Sequence, residues 1–240
     1  MTSPMVRKLR HGAPLSPADE RALLAACAAV RDYAAGEEVI AEGERPHHVH
    51  VVLDGFACRY KMLPDGGRQI MAWLAPGDFC DLHVTILGEM DHGVGAVTAS
   101  RIAAIPADAV ERLSSLSPTL SRALWWATLV DEAVLREWLV GMGRRPADQQ
   151  VAHLFCELLL RLRAVDRAAG NRFELPVTQA ELADSVGLTP VHVNRVVQQL
   201  RAAGYLEWRG GVVTVLDEPG LMAFAEFDAN YLHLRRAQAA

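Results

Sequence analysis

The stretch TQAELADSVGLTPVHVNRVVQQLRAAGYLEWR, residues 178–209, has the pattern of two short helices joined by a tight turn. Thr178 and Glu181 have the spacing of a capping box, which predicts the start of the first helix, and Gly187 predicts its end. Thr189-Pro190 supplies an N-cap and a first residue for a second helix. Two such helices crossing steeply form a helix-turn-helix, whose second helix enters the major groove of DNA.

The second helix has an apolar face, at Val193, Val196 and Leu200, that anchors it to the protein. Its other side and the starts of both helices are therefore expected to face DNA, with phosphates held near the helix N-termini. The predicted DNA-binding residues are Thr178, Gln179, Thr189, Pro190, Val191, His192, Asn194, Arg195 and Gln198. Of these, Arg195 can donate two hydrogen bonds to a guanine edge, whereas Val191 can only touch a thymine methyl.

A β-hairpin is predicted directly after these helices. Two β-forming segments, 205–209 and 212–216, flank the turn Gly210-Gly211. A hairpin in this place is the wing of a winged helix-turn-helix. The alternative, a helical hairpin with no nucleic-acid partner, accounts for fewer of these signals.

Composition indicates a two-domain protein with an uneven charge distribution. The chain has 240 residues, is 51% hydrophobic and carries a net charge of −5, which allows a core in each half. Residues 1–143 hold 13 Lys+Arg against 18 Asp+Glu, and residues 144–240 hold 11 of each. The acidity thus lies in the N-terminal part, and DNA binding by the C-terminal part requires that its arginines cluster on one face.

Several classes of protein are not supported by the sequence. No uncharged apolar run is long enough to span a bilayer, and MTSPMVRKLRHG at the N-terminus has no apolar segment after its basic residues, so we expect a cytoplasmic protein without membrane contact. No GxSxG, P-loop or HExxH motif is present, and we expect no enzyme activity. The four cysteines are scattered, which favours reduced thiols over a zinc ribbon or an iron–sulfur cluster.

The N-terminal half has the pattern of an all-β domain. Short apolar or alternating segments, separated by turns rich in glycine and proline, predict a jelly roll or sandwich. The predicted strands lie at 36–40, 49–53, 56–62, 68–74 and 96–105. Ahead of them, Ser16-Pro17 with Asp19 predicts the start of a short helix through Leu23 and Leu24.

A long helix is predicted after the β domain, from Ser117-Pro118 to Gly141. It has two apolar stripes, one of Leu120, Ala123, Ala127, Val130 and Val134, and one of Leu124, Leu135, Trp138 and Met142. A helix that is apolar on two sides needs two partners. The barrel and the same helix of a second subunit are the simplest pair, and a buried helix in a monomer is the alternative.

Two further helices are predicted beyond this one. A hinge at 141–143 precedes a helix that starts at Pro146, with a core face of Val151, Leu154, Phe155, Leu158 and Leu162. Residues 221–234 are amphipathic at helical spacing and are expected to pack back on the DNA-binding domain.

The whole chain resembles the Crp/Fnr family of bacterial transcription regulators. The resemblance rests on Gly36, Gly43, VHVVLDG at 49–55, DGGRQIMAWLAPGDF at 65–79, and the helix-turn-helix. It implies an α+β protein with three parts: a cyclic-nucleotide-binding-type β jelly roll (1–116), a dimerisation helix with its hinge (117–143) and a winged helix-turn-helix domain (144–240). It also implies a homodimer on double-stranded DNA, with RNA polymerase as partner.

The sensory residues of the family do not carry over. Where cyclic-nucleotide binders have Gly-Glu-Leu and then an arginine, this chain has Cys80-Asp81-Leu82 and no arginine soon after. A phosphate buried beside Asp81 without a cation would be costly, so we expect no tight response to cyclic AMP and no cofactor. An unknown small effector would occupy a pocket formed by Gly77, Asp78, Phe79, Cys80, Asp81, Leu82, His92, Trp125 and Trp126.

Other departures concern iron–sulfur and base contacts. The oxygen-sensing members carry an N-terminal cysteine cluster, and only Cys27 lies in that region here, so no iron–sulfur cluster is expected. In the recognition helix, Val191 stands where the best-known members have glutamate, while Arg195 matches their arginine. The DNA half-site should therefore differ at the base pair that faces Val191.

A rival hypothesis comes from the histidines at 47–50. His48-x-His50 partly resembles the first metal motif of cupins, which share the jelly-roll shape, and would make the protein a metal-binding sensor or enzyme. Strand alternation counts against it because Val49, Val51 and Leu53 form the apolar set, which turns both histidines outward. We therefore assign no metal ligands from the sequence.

Overall fold

The computed structural model describes residues 2–234. The chain forms two compact units, each with its own interior. The first unit contains the residues up to Arg59 and Trp73–Ala133, and the second contains Tyr60–Ala72 and Val134–Tyr231. No helix in the described part of the chain is long and apolar enough to cross a membrane.

The N-terminal half contains the expected β-roll, built from two antiparallel sheets. One sheet has the order β1-β7-β3 and the other the order β2-β6-β4-β5. The strands are β1 (Ala29–Tyr33), β2 (Glu38–Ile40), β3 (His48–Asp54), β4 (Ala57–Met62), β5 (Arg68–Leu74), β6 (Gly93–Ala96) and β7 (Ser100–Pro106). Inward-facing side chains such as Val49, Val51, Ile102 and Ile105 are almost fully buried and form the core.

Four helices accompany the roll: α1 (Pro4–Gly12), α2 (Pro17–Ala26), α3 (Val84–Leu87) and α4 (Ala107–Leu116). The helix start predicted at Ser16-Pro17 is confirmed, and it forms a capping box, because Ser16 Oγ accepts a hydrogen bond from Asp19 N while Asp19 accepts one from Ser16 N. Helix α1 is not predicted from the sequence, since its basic residues mask an apolar face. Met5, Val6 and Leu9 on that face have no solvent exposure.

The single strand predicted at 96–105 is wrong, since the chain forms two strands with a turn between them. The backbone N–H groups of Val97 and Thr98 both donate to Phe56 O, and Thr98 Oγ1 accepts from Phe56 N. Because residues 97 and 98, between β6 and β7, hydrogen-bond to Phe56, they leave the regular strand pairing. The alternation of apolar and polar residues does not reveal such a turn, because the apolar pattern continues through it.

The long helix α5 (Pro118–Arg144) runs three residues further than predicted. The proposed hinge at 141–143 is helical, and Arg145 N still donates to Gly141 O at 3.1 Å. The helix ends before Pro146 because the residue that precedes a proline is kept out of the helical region. Two glycines cost the helix about 1 kcal/mol each relative to alanine but do not break it.

Helix α5 has two apolar faces, as expected, but the second face differs from the predicted stripe. The first stripe is buried throughout, whereas the second is split: Leu124 and Trp138 are buried, and Leu135 and Met142 are exposed. The exposed apolar face consists of Trp125, Leu129, Leu135, Leu139, Val140 and Met142. At 3.6 residues per turn it lies opposite the first stripe.

The C-terminal part contains a winged helix-turn-helix. Its elements are α6 (Ala147–Ala164), β8 (Ala168–Ala169), β9 (Arg172–Glu174), α7 (Gln179–Val186), α8 (Pro190–Ala202), β10 (Leu206–Arg209), β11 (Val212–Val215) and α9 (Glu218–Phe224). The sheet order is β10-β11-β9-β8, and β10 pairs with β11 in the register Leu206↔Val215. The predicted wing is thus confirmed, with β9 and β8 added to it.

The C-terminal helix predicted at 221–234 is interrupted. Helix α9 ends at Phe224, and a 3-10 turn, Ala229–Leu232, follows. Between them Glu226 has a φ of 49°, a left-handed conformation that stops a helix. The break lets Tyr231 pack against the buried side of α6, where the residue is 7% exposed.

A buried carboxylate holds the interior of the C-terminal unit together. Glu157 on α6 is fully buried, and its oxygens accept hydrogen bonds from Arg161 Nη1 (2.7 Å), Trp138 Nε1 (3.0 Å) and Tyr231 Oη (2.9 Å). Burial of this charge is tolerated because three donors replace the lost water.

Removal of the cation from this network should be strongly destabilising. Arg161→Met leaves Glu157 buried and unpaired, and we expect a loss of about 3–5 kcal/mol in the free energy of unfolding. The double variant Glu157→Gln/Arg161→Met keeps an acceptor for Trp138 and Tyr231 without the charge and should recover much of that loss. Urea unfolding followed by circular dichroism measures both; a loss near 1 kcal/mol or less, as for an exposed pair, would contradict the analysis.

Candidate functional site

The first helix of the motif, α7, begins and ends at the predicted residues. Thr178 Oγ1 accepts from Glu181 N at 3.2 Å and Glu181 Oε2 accepts from Thr178 N at 2.6 Å, so the capping box is present. Gly187 ends the helix with a φ of 66°, a value that an L side chain rarely adopts. This turn sets the direction in which the next helix leaves.

The second helix, α8, presents a polar side to solvent. Thr189 caps it by accepting from His192 N at 3.2 Å. Its buried side consists of Val193, Val196, Val197 and Leu200. On the other side Val191 is 81% exposed, Asn194, Arg195 and Gln198 are exposed, and His192 is half-buried.

The starts of the two helices are brought together by a side-chain contact. Asn194 Nδ2 donates to Gln179 Oε1 at 2.9 Å. The first-turn residues Thr178 and Gln179 therefore belong to one surface with Asn194 and Arg195. This surface combines two capped helix N-termini with an exposed guanidinium, which suits a phosphate backbone and a guanine edge.

A second candidate site is a cleft in the N-terminal unit, between the β-roll and α5. It is lined by Lys8, Arg59, Phe79, Leu82, His83, Ala127, Thr128 and Asp131. Only Phe79 and Leu82 of these belong to the predicted effector pocket. The other lining residues come from segments far apart in the sequence, so no local motif signals them.

No arginine follows Leu82 closely in the sequence, but an arginine from another segment, Arg59, lines this cleft. Arg59 on β4 donates from Nε to Cys80 O at 2.8 Å and from Nη2 to Phe79 O at 2.9 Å, and its Nη1 forms an ion pair with Asp131. Burial alone would lower the pKa of Arg59, but the charge and hydrogen bond of Asp131 raise it. The guanidinium is thus a permanent cation, and each of its three nitrogens already donates a hydrogen bond.

The two acids of the predicted pocket are buried and paired. Asp78 forms an ion pair with Lys8 of α1 and accepts from Ala75 N at 2.7 Å. Asp81 is fully buried and accepts from His50 N at 2.6 Å, with His50 Nδ1 at 2.7 Å from its other oxygen. The expectation that His50 faces outward is therefore wrong, since the buried carboxylate draws its ring inward.

Gly77 allows α1 to close on this turn. Its φ is 97°, and a Cβ built there would lie 2.8 Å from Pro4 O. Only glycine accepts both the conformation and the close approach. The N-terminal helix therefore covers the turn that carries Asp78.

The remaining predicted pocket residues are dispersed. Cys80 is buried, and burial raises the pKa of its thiol well above the usual range. Trp125 is 60% exposed on α5, and Trp126 stacks on His11 with ring centroids 6.3 Å apart. His92 is buried next to His83, whose ring centroid is 5.3 Å away.

The cupin-like motif does not form a metal site in this structure. His48 is exposed, while His50 is engaged with Asp81. Among the described residues, the group of side chains with the spacing for a metal ion is instead His83, Asp91 and His92.

Comparison with known proteins identifies the family. The profile of the Crp-like helix-turn-helix domain matches residues 149–224, and that of the cyclic nucleotide-binding domain matches residues 30–116. The chain is 31% identical over 191 residues to a probable transcriptional activator of Rhizobium leguminosarum bv. viciae, covering 78% of each chain. It is 30% identical over 194 residues to the nitrogen fixation regulation protein FixK of Bradyrhizobium diazoefficiens, covering 80% of each.

A solved structure agrees with these sequence matches. The structure of FixK2 from Bradyrhizobium japonicum superimposes with a TM-score of 0.74 at 25% identity, over 82% of this chain and 96% of that one. The fold, the two matched domains and these relatives define a DNA-binding transcription regulator. The chain belongs to the Crp/Fnr family.

Proposed function

We propose that this regulator acts as a homodimer that reads a two-fold DNA operator with its α8 helices and that it does not respond tightly to cyclic AMP. The observation that carries the proposal is the exposed polar side of α8, from Val191 to Gln198, on a capped helix-turn-helix. The names of the relatives support activation of transcription, and the family resemblance supports RNA polymerase as the partner.

The proposed operator contacts follow from the side chains on α8. Arg195 reads a guanine through O6 and N7, and Asn194 and His192 supply further hydrogen bonds. Val191 selects a thymine methyl by contact. The capped starts of α7 and α8, with Thr178, Gln179, Thr189 and Pro190, hold phosphates, and Gln198 lies one turn further along the same helix face.

The proposed dimer uses the exposed apolar face of α5. Six large apolar side chains on that face are between 43% and 68% exposed, and a patch of this kind on one helix is typical of a protein interface. A second copy of α5 is the partner that fits, because a two-fold arrangement covers the same face on both chains. Two α8 helices could then meet successive turns of DNA.

The proposed lack of a cyclic AMP response rests on the pairing inside the cleft. Arg59 is bound to Asp131 and two carbonyls, and Lys8 is bound to Asp78. A phosphate that took Lys8 would leave the buried Asp78 unpaired, at a cost of several kcal/mol, and one that took Arg59 would have to compete with the partly exposed Asp131. An effector that suits this cleft would carry donors for the acids instead of a negative charge.

Arg195→Ala should weaken specific DNA binding by about 1–3 kcal/mol per half-site and relax the base preference at one position. Selection of bound duplexes from a random pool, followed by titration at two salt concentrations, measures this. Arg21→Ala, on exposed α2, is the matched control and should leave the selected motif and the affinity unchanged. Retention of the full motif and affinity by Arg195→Ala would contradict the docking proposed for α8.

Leu139→Asp should convert the dimer into monomers, because it places a charge in the middle of the apolar face, where Leu139 is 68% exposed. Sedimentation velocity gives the mass of each species. Leu116→Asp, at an 81% exposed position on α4, introduces the same charge elsewhere and should leave the dimer intact. A wild-type protein that sediments as a monomer would overturn the dimer.

Calorimetric titration with cyclic AMP should give no saturable heat in the micromolar range, and the DNA affinity should be the same with and without the nucleotide. The reason is that neither cation of the cleft is available without the loss of a buried pair. Micromolar binding in this titration would show that the pairs open and would reject the proposal.

A further inference from the structure

Three side chains that the DNA-binding function does not use lie together at one edge of the β-roll. His83 directly precedes α3, and Asp91 and His92 directly precede β6. One ligand atom from each of the three lies within 4.8 Å of the other two. The segments that carry them are joined by the short helix α3 and the turn after it, which brings the two histidine rings side by side.

The imidazole of His83 does not cap the helix that follows it, and one of its ring nitrogens has no hydrogen-bond partner among the described residues. As the residue before α3 it makes no side-chain capping bond. Its Nε2 is shielded from solvent and has no hydrogen-bond partner among the described residues. A buried nitrogen without a partner costs free energy unless something binds it.

The geometry points to a binding site for one divalent first-row transition metal ion, held by His83, Asp91 and His92. Two imidazoles and one carboxylate favour ions such as Zn²⁺, Co²⁺ or Fe²⁺ over Mg²⁺ and Ca²⁺, which prefer oxygen ligands. The Asp91 side chain is 83% exposed, so the site opens to solvent and leaves positions for water. It is distinct from His48-x-His50, since His48 is exposed and His50 is hydrogen-bonded to Asp81.

The charges around the site permit a cation. Arg59 lines the same cleft as His83, and its charge is offset by the ion pair with Asp131. The carboxylates of Asp81 and Asp91 lie close to His83 in the chain and attract a cation. His83 also lines the cleft, so a bound ion would lie at the rim of that cleft.

The test uses full-length protein without a histidine tag. Metal-free protein is titrated with Co²⁺, the visible absorption of the ion and its stoichiometry are recorded, and Zn²⁺ is then added in competition. We expect one equivalent of Co²⁺ per chain, with a change in its visible spectrum and displacement by Zn²⁺. His83→Ala should lower the affinity by at least about 100-fold, since loss of even an outer partner of a ligand costs 10- to 100-fold.

Two further variants make the result decisive. Asp91→Asn is exposed and nearly isosteric, so it keeps the fold and should weaken binding by at least about ten-fold. His47→Ala/His48→Ala removes two histidines outside the cluster and should bind Co²⁺ like the wild type. No Co²⁺ bound by the wild type at micromolar protein, unchanged binding by His83→Ala and Asp91→Asn, or loss of binding in the His47/His48 variant would each overturn the site.

Discussion

The N-terminal unit depends on one buried cation, the guanidinium of Arg59. It joins β4 to the chain at Phe79 and Cys80 through two carbonyls and to α5 through Asp131. Three elements that are far apart in the sequence are fixed by a planar group whose donors point in set directions. Because a buried charge without partners costs several kcal/mol, the roll and the long helix are held in one arrangement at this point.

The same pairing defines what the cleft can bind. Arg59 forms an ion pair with Asp131 and Lys8 forms one with Asp78, and Asp81 is hydrogen-bonded to His50. The family's cyclic nucleotide-binding domain is retained, and both permanent cations that line the cleft, Arg59 and Lys8, are held in ion pairs. The helix α1, closed over Gly77, supplies one of these cations from the chain's own N-terminus.

Helix α5 has two apolar faces with different exposure to solvent. One face is buried and carries the packing, and the other, from Trp125 to Met142, is exposed. A helix cannot shift its buried face without moving its exposed one, since both are fixed to the same backbone. The dimer surface proposed for α5 is thus set by the residues that pack it, and the α8 surface needs two copies at a defined distance to read a two-fold operator.

Elements with strong local signals could be predicted from the sequence. The capping box at Thr178, the glycine at 187, the Thr189-Pro190 start and the Gly210-Gly211 turn are each read from a few neighbouring residues, because caps and turns are local interactions. The order of these parts was enough to establish the family resemblance, which the comparisons confirm.

Features that depend on contacts between different segments of the chain could be established only from the three-dimensional fold. It placed Arg59 beside Asp131, turned His50 towards Asp81, grouped His83 with His92, and assigned Leu124 and Trp138 to the buried side of α5. Periodicity indicates which residues share a face but not which face is covered. Sequence patterns also do not reveal partners that lie 31 positions apart, as His50 and Asp81 do, or 72 positions apart, as Arg59 and Asp131 do. The fold determines which charges pair over long sequence separations. The desolvation cost of burying a charge is offset only where the fold places a partner beside it.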